Sequence, residues 1–119
     1  MRVQFGDTVL LLISGTASVG PNGESLHPGD LRRQARRTFD NIKALLHSEA
    51  ADWHDVVRTT VYLADMRDYD AFNEVRNAFY REETLIPFPA STCVEARLCR
   101  PDLLVEIEAM AVIPANRRA

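Results

Sequence analysis

An α+β fold is predicted, with the order ββαβαββ and two helices packed on one face of a single sheet. Three observations carry it: five short segments read as strands, by period-two alternation or by an unbroken apolar run, two longer segments repeat every three or four residues, and the helical segments interleave with strands. Met1 to Phe5 and Thr8 to Ser14 form two strands about Gly6-Asp7, a two-residue hairpin turn. Val9-Leu-Leu-Leu-Ile13 is apolar on both faces, as expected of a covered central strand. Ser18 to Glu24 is loop, with Pro21-Asn-Gly23 as its turn. Asp30 stands at an N-cap, and Leu31, Ala35, Phe39, Ile42, Leu45 and Leu46 keep helical spacing to about Ser48. Asp55 to Leu63 alternates Val57, Thr59, Val61 and Leu63 against Val56, Arg58, Thr60 and Tyr62, a β-branched strand. A second helix begins at Asp65 to Asp68 and runs through Tyr69, Phe72, Val75 and Phe79 to Tyr80; Glu82 to Phe88 is loop.

The last third carries the strongest chemical signal. Pro89 to Arg97 and Leu103 to Ala111 read as strands, joined by Leu98-Cys-Arg-Pro-Asp102 and expected to form an antiparallel hairpin. On the final strand Val105, Ile107, Ala109, Ala111 and Ile113 share an ordinary core face, whereas Leu104, Glu106, Glu108 and Met110 share the other. Carboxylates alternating with large apolar groups suit neither solvent nor a dry interior, because a buried carboxylate is costly unless paired or protonated. Such a face lines an interface or a site. The hairpin register places Cys93 opposite Glu106, Ser91 opposite Glu108 and Glu95 opposite Leu104, so a thiol, a hydroxyl and carboxylates converge. The alternative is that the two carboxylates pair with arginines across a subunit boundary.

Composition limits the function classes. With 119 residues and 46% hydrophobic content, residues 1–119 make one domain able to bury a core. A net charge of -3 and a pI near 5.6 disfavour nucleic acid as partner. The arginines of Leu31 to Arg37 interleave with apolar residues as a solvated helix face. Two cysteines, Cys93 and Cys99, give no disulfide framework, and no spacing suggests a metal; no cofactor is implied. The run Val9 to Ile13 is too short for a membrane span and lacks the layout of a signal peptide, so a cytoplasmic setting is expected. A sheet face bearing Cys93, Leu104 and Met110 needs cover, and self-association is the simplest.

Ser14-Gly-Thr, Gln34-x-x-x-Thr38-x-x-Asn41-Ile, Asp55 to Leu63, Asp65-Met, Phe72-Asn-Glu-Val75, Pro89-Ala, Cys93-Val-Glu95 and Val105 to Ala111 resemble, in the same order and over nearly the whole chain, the Rid family of reactive-intermediate deaminases, also called the YjgF family. The resemblance implies a chorismate-mutase-like fold, a homotrimer whose sheets form a central barrel, and ligand clefts between subunits. It also implies hydrolysis of enamine and imine intermediates to keto acids and ammonia, with a small carboxylic acid as the ligand. Family members carry an arginine that grips the substrate carboxylate in a segment similar to Pro89-Ala-Ser-Thr-Cys-Val-Glu95, and here Ser91 takes its place. A hydroxyl cannot reproduce a bidentate, charge-assisted grip, a loss worth roughly 2 to 4 kcal/mol. The chain begins late against the family pattern, so the segment that often carries a cleft tyrosine is expected to be absent.

The same resemblance implies that Glu106 is the cleft glutamate holding the attacking water and that Cys93, Asn73 and Ser14 line the cleft. Asn73 could equally be a solvated helix residue, Ser14 a strand-end cap and Cys93 an inert thiol. Leu104, Met110 and the charge of Glu108 would make Glu106 a group that exchanges a proton near neutral pH. Arg97, Arg100 and Arg58 are candidates to replace the missing clamp. Ser14-Gly-Thr-Ala-Ser-Val19, His27-Pro-Gly-Asp30 and Leu98 to Glu106 are also similar to chorismatases, which implies Cys99 and Glu106 as site residues and protonation of an enol ether as the chemistry. A cleft that binds metabolites without turnover is the third alternative.

Overall fold

The computed structural model describes residues 1–117. Its elements are β1 (Arg2–Phe5), β2 (Thr8–Ala17), α1 (Leu31–Ser48), β3 (Val56–Leu63), α2 (Tyr69–Glu82), β4 (Ala90–Glu95) and β5 (Val105–Pro114), with single 3-10 turns before β3 and α2. The order is the predicted ββαβαββ. Asp30 caps α1 by accepting from the Arg33 N–H at 3.1 Å. The two helices share one side of a five-stranded sheet ordered β1-β2-β5-β3-β4.

The expected hairpin of the last two strands does not form. β4 pairs parallel with β3, Val61 beside Cys93, at the sheet edge, while β5 inserts between β2 and β3 and runs antiparallel to both. Helix α2 is the crossover that a parallel pair requires. Residues 96–104 are long enough to pass the end of β3, so nearness in sequence does not become pairing. A second departure lies in β3. Its register shifts between Val56 and Arg58, so the bulge turns Val56 into the core and leaves Val57 about half exposed, reversing the expected assignment of these two.

The core lies between sheet and helices. Val105, Ile107, Ala109, Ala111 and Ile113 of β5 are buried as predicted, and Phe39 stacks on Phe79 with ring centroids 5.0 Å apart, edged by Trp53 and Tyr80. Among the described residues no helix is long and apolar enough to cross a membrane.

Within this core Gln34 is fully buried yet polar. Its Nε2 donates to the carbonyls of Asp102 (2.8 Å) and His27 (3.3 Å), and its Oε1 accepts from the Leu104 N–H at 2.8 Å. One turn on, Thr38 bonds back to the Gln34 carbonyl, and Asn41 Nδ2 donates to the carbonyls of Ala17 and Val19. The polar row of α1 therefore anchors the start of β5 and the end of β2. Gln34→Leu removes the anchor and strands buried backbone groups, which should cost about 2 to 4 kcal/mol; urea unfolding of the variant measures it, and a loss below 1 kcal/mol would show the anchor to be dispensable.

Candidate functional site

The sheet face turned away from the helices carries the mixed set predicted from β5. Leu104, Glu106, Glu108 and Met110 are all half-buried there. In register with them are Tyr62 beside Glu106, Thr60 beside Glu108, Arg58 and Leu12 beside Met110, and Ala17 beside Glu106. The pairing of β2 with β5 is interrupted between Ile13 and Thr16, so Ser14 and Gly15 bulge together opposite Glu108. A Cβ at Gly15 would collide with Glu106 Oε1 and lie 2.9 Å from its Cδ. Glycine here is the condition for the Glu106 carboxylate to lie across the bulge. Tyr62 Oη donates to Glu108 Oε1 at 3.0 Å, and that bond, with desolvation and the nearby carboxylates, raises the Tyr62 pKa and keeps the phenol a donor. Ser14, Arg58, Thr60, Glu108 and Met110 line an open depression of about 350 Å³ on this face. Arg58 Nη2 donates to Thr92 Oγ1 at 2.9 Å.

Cys93 and Ser91 do not join them. Their partners on β3, Val61 and Thr59, face the helices, so both side chains lie on the opposite side of the sheet from Glu106. The predicted convergence of thiol, hydroxyl and carboxylates within one chain is thereby corrected; it followed from the hairpin register that the parallel pairing replaces. Thr59 Oγ1 donates to Ser91 Oγ at 3.3 Å. Cys93 is half-buried and burial raises its pKa, while the charge of Arg76 opposes the shift. Above this edge runs α2, where Asn73 is half-buried with an Oδ1 that has no hydrogen-bond partner among the described residues.

The connector residues lie elsewhere. Arg100 Nη1 donates to the Gly23 carbonyl at 2.7 Å and to Ser25 Oγ at 3.1 Å, tying the connector to the loop after β2; Arg97 lines an open surface depression with Glu95 and Pro101; Cys99 is exposed. Among the described residues no cluster of three or more His, Cys, Asp or Glu is placed to hold a metal. Sequence reasoning overlooked Gly15, Tyr62 and Arg76. Gly15 follows the singled-out Ser14, but a glycine inside a strand signals a bulge without naming the side chain that needs the space. Tyr62 was legible as a period-two neighbour of Arg58, while Arg76 carries no signal without knowing which strand α2 covers.

The chain thus divides its candidate residues between two surfaces, Ser14, Arg58, Glu106 and Glu108 on the open face, and Asn73, Ser91 and Cys93 at the α2–β4 edge. Known proteins share this framework. A match to the family described as Endoribonuclease L-PSP spans residues 3–113. The 2-iminobutanoate/2-iminopropanoate deaminase of Escherichia coli is 36% identical over 103 residues, covering 87% of this chain and 79% of that protein. A RutC family protein of Haemophilus influenzae is 38% identical over 104 residues, covering 87% and 78%. Among solved structures, the Escherichia coli YjgF gene product superposes with a TM-score of 0.78 at 36% identity over 93% of this chain and 84% of that one; Escherichia coli TdcF with bound serine gives 0.79 at 33% over 94% and 85%. These relatives lend the chorismatase resemblance no support. By sequence and by fold, the chain belongs to the Endoribonuclease L-PSP family, which includes the YjgF, Rid and RutC proteins.

Proposed function

We propose that the protein is an enzyme acting on a small unsaturated carboxylic acid, by hydrolysis or proton transfer, in clefts between the subunits of a homotrimer. The observation that carries this proposal is the Glu106 carboxylate held over the Gly15 bulge on a half-apolar face, on the opposite side of the sheet from Asn73 and Cys93. One chain cannot unite the two groups, and a second copy can, because closing open faces around a threefold axis sets the face of one copy against the edge of the next. The half-buried Leu104 and Met110, with Val94 and Val112 near 40% exposure, give that closure apolar area to bury.

In this arrangement Glu106 takes a proton from water as its oxygen adds to the C=N carbon of an imino acid and returns that proton to the nitrogen; collapse of the adduct, with the hydroxyl proton passing to nitrogen, breaks the C–N bond, releases ammonia and leaves the keto acid. The relative named for 2-iminobutanoate and the relative solved with serine support a small acid as ligand. Glu108, already accepting from Tyr62, is assigned an assembly role, paired with an Arg58 across the boundary. The binding-only alternative differs in one respect: its ligand would not turn over.

Glu106→Gln should abolish turnover of 2-iminobutanoate generated in place by a dehydratase and leave the trimer intact, whereas Glu108→Gln should weaken the trimer first. Paired activity and sedimentation measurements test this, and the reverse pattern would exchange the two assignments. A wild type that binds 2-oxobutanoate but never accelerates imine hydrolysis would favour the binding protein. Because Ser91 brings no positive charge to the family's arginine position, wild-type hydrolysis of 2-aminoacrylate should be slow. Ser91→Arg should raise kcat/KM by about tenfold or more, given the strength of a charge-assisted bond. Robust wild-type activity unchanged by Ser91→Arg would contradict that account.

A further inference from the structure

Helix α2 carries Asn73, Arg76 and Tyr80 at spacings of three and four, which places them along one stripe over the β3–β4 edge. Two members of this stripe are buried polar groups left unsatisfied. Among the described residues Asn73 Oδ1 has no hydrogen-bond partner; Tyr80 is 1% exposed, and its Oη makes no well-formed hydrogen bond although the Thr59 side chain lies beside it. Burial pushes the Tyr80 pKa up to about 12, with Thr59 and the Arg76 charge acting the other way. Native proteins rarely leave such groups unpaired unless a ligand or water completes them.

Between them stands Arg76, half-buried. Its Nε and Nη2 reach only the neighbouring Asn77 Oδ1, at 3.2 and 3.1 Å, and among the described residues no carboxylate pairs with it. Of the other half-buried cations, Lys43 reaches Glu83 at 2.9 Å and Arg117 reaches Asp55 at 2.6 Å, whereas Arg37, on helix α1, resembles Arg76 in having no carboxylate partner among the described residues. The Arg76 charge acts on the Cys93 thiol, two residues along β4 from Ser91, and on the Tyr80 hydroxyl. A guanidinium held half out of water, with no carboxylate partner among the described residues and with its charge acting on the Cys93 side of β4, is suited to receive an anion.

We propose that Arg76 is the carboxylate-binding residue of the cleft, supplying from helix α2 the positive charge that Ser91 does not supply from β4. The proposal rests on the proposed function and adds the group that selects an acid over a neutral compound. Moving the cation from strand to helix shifts where the carboxylate would sit relative to Glu106, so acid recognition is expected to be retained together with weak turnover of the smallest enamines. On the same stripe the Asn73 Nδ2 group can donate to the anion, while its Oδ1, an acceptor, is left for a donor of the ligand or for water.

Calorimetric titration with 2-oxobutanoate and with its neutral amide, 2-oxobutanamide, tests it. The wild type should bind the acid more tightly than the amide, and Arg76→Met should weaken the acid by about 10- to 100-fold while leaving the amide unchanged. Arg76→Lys should keep part of the preference, which guards against misfolding of the methionine variant. An acid preference that survives Arg76→Met in a folded protein overturns the assignment and leaves the proposed function standing. A wild type that binds neither probe overturns both.

Discussion

Three hydrogen bonds from one buried amide hold the architecture of the site in place. Gln34 joins helix α1 to the chain immediately before β5, and the Leu104 N–H it fixes lies two residues from Glu106. The same helix face, through Asn41, holds the end of β2 two residues beyond Gly15. Register in a sheet is unforgiving, since a slip of one residue sends every side chain to the other face. Fixing both strands from one helix therefore fixes whether Glu106 meets the glycine bulge or points into the core. A buried polar network is costly when incomplete, and here all three of the amide's bonds are made.

That constraint explains the division of labour within the sheet. β5 is central and carries its apolar residues toward the helices, so its carboxylates must face the open side, where Gly15 and Tyr62 receive them. β4, at the edge and parallel to β3, shares the helix side through Ser91 and Cys93. Each surface holds part of the candidate set: carboxylates on one, hydrogen-bonding and cationic groups on the other. Under the proposed function assembly is part of the site as well as cover for apolar area, because Glu106 and the residues of the α2–β4 edge lie on opposite sides of the sheet and would meet across a boundary between copies.

Much of the fold was legible in the sequence. The bounds of α1, its Asp30 cap, the core face of β5 and the order of the elements follow from periods of 3.6 and 2. What failed was pairing. A period of two says which residues share a face, not which strand lies alongside, and residues 96–104 look like a hairpin turn until β5 is seen between β2 and β3. The β3 bulge at Val57 was hidden for a related reason, since a run of β-branched residues reads equally well in either phase. Of the site, Glu106, Glu108 and Ser14 were readable as a mixed face and a strand end. Arg76 was not, because its meaning depends on the tertiary position of α2 over β4 and on the unsatisfied groups around it.

A subunit-mixing measurement tests the divided site most directly. Glu106→Gln disables the open-face group and Asn73→Asp the α2–β4 group, so each variant alone should be inactive. Denaturing and refolding the two together in equal amounts would give mixed oligomers in which some clefts combine an intact half from each chain. Recovery of about a quarter of wild-type turnover is expected if the halves come from different copies. Mixed oligomers that form but stay inactive would mean that each chain must supply a whole site, contrary to the division of Glu106 and Asn73 between neighbouring subunits.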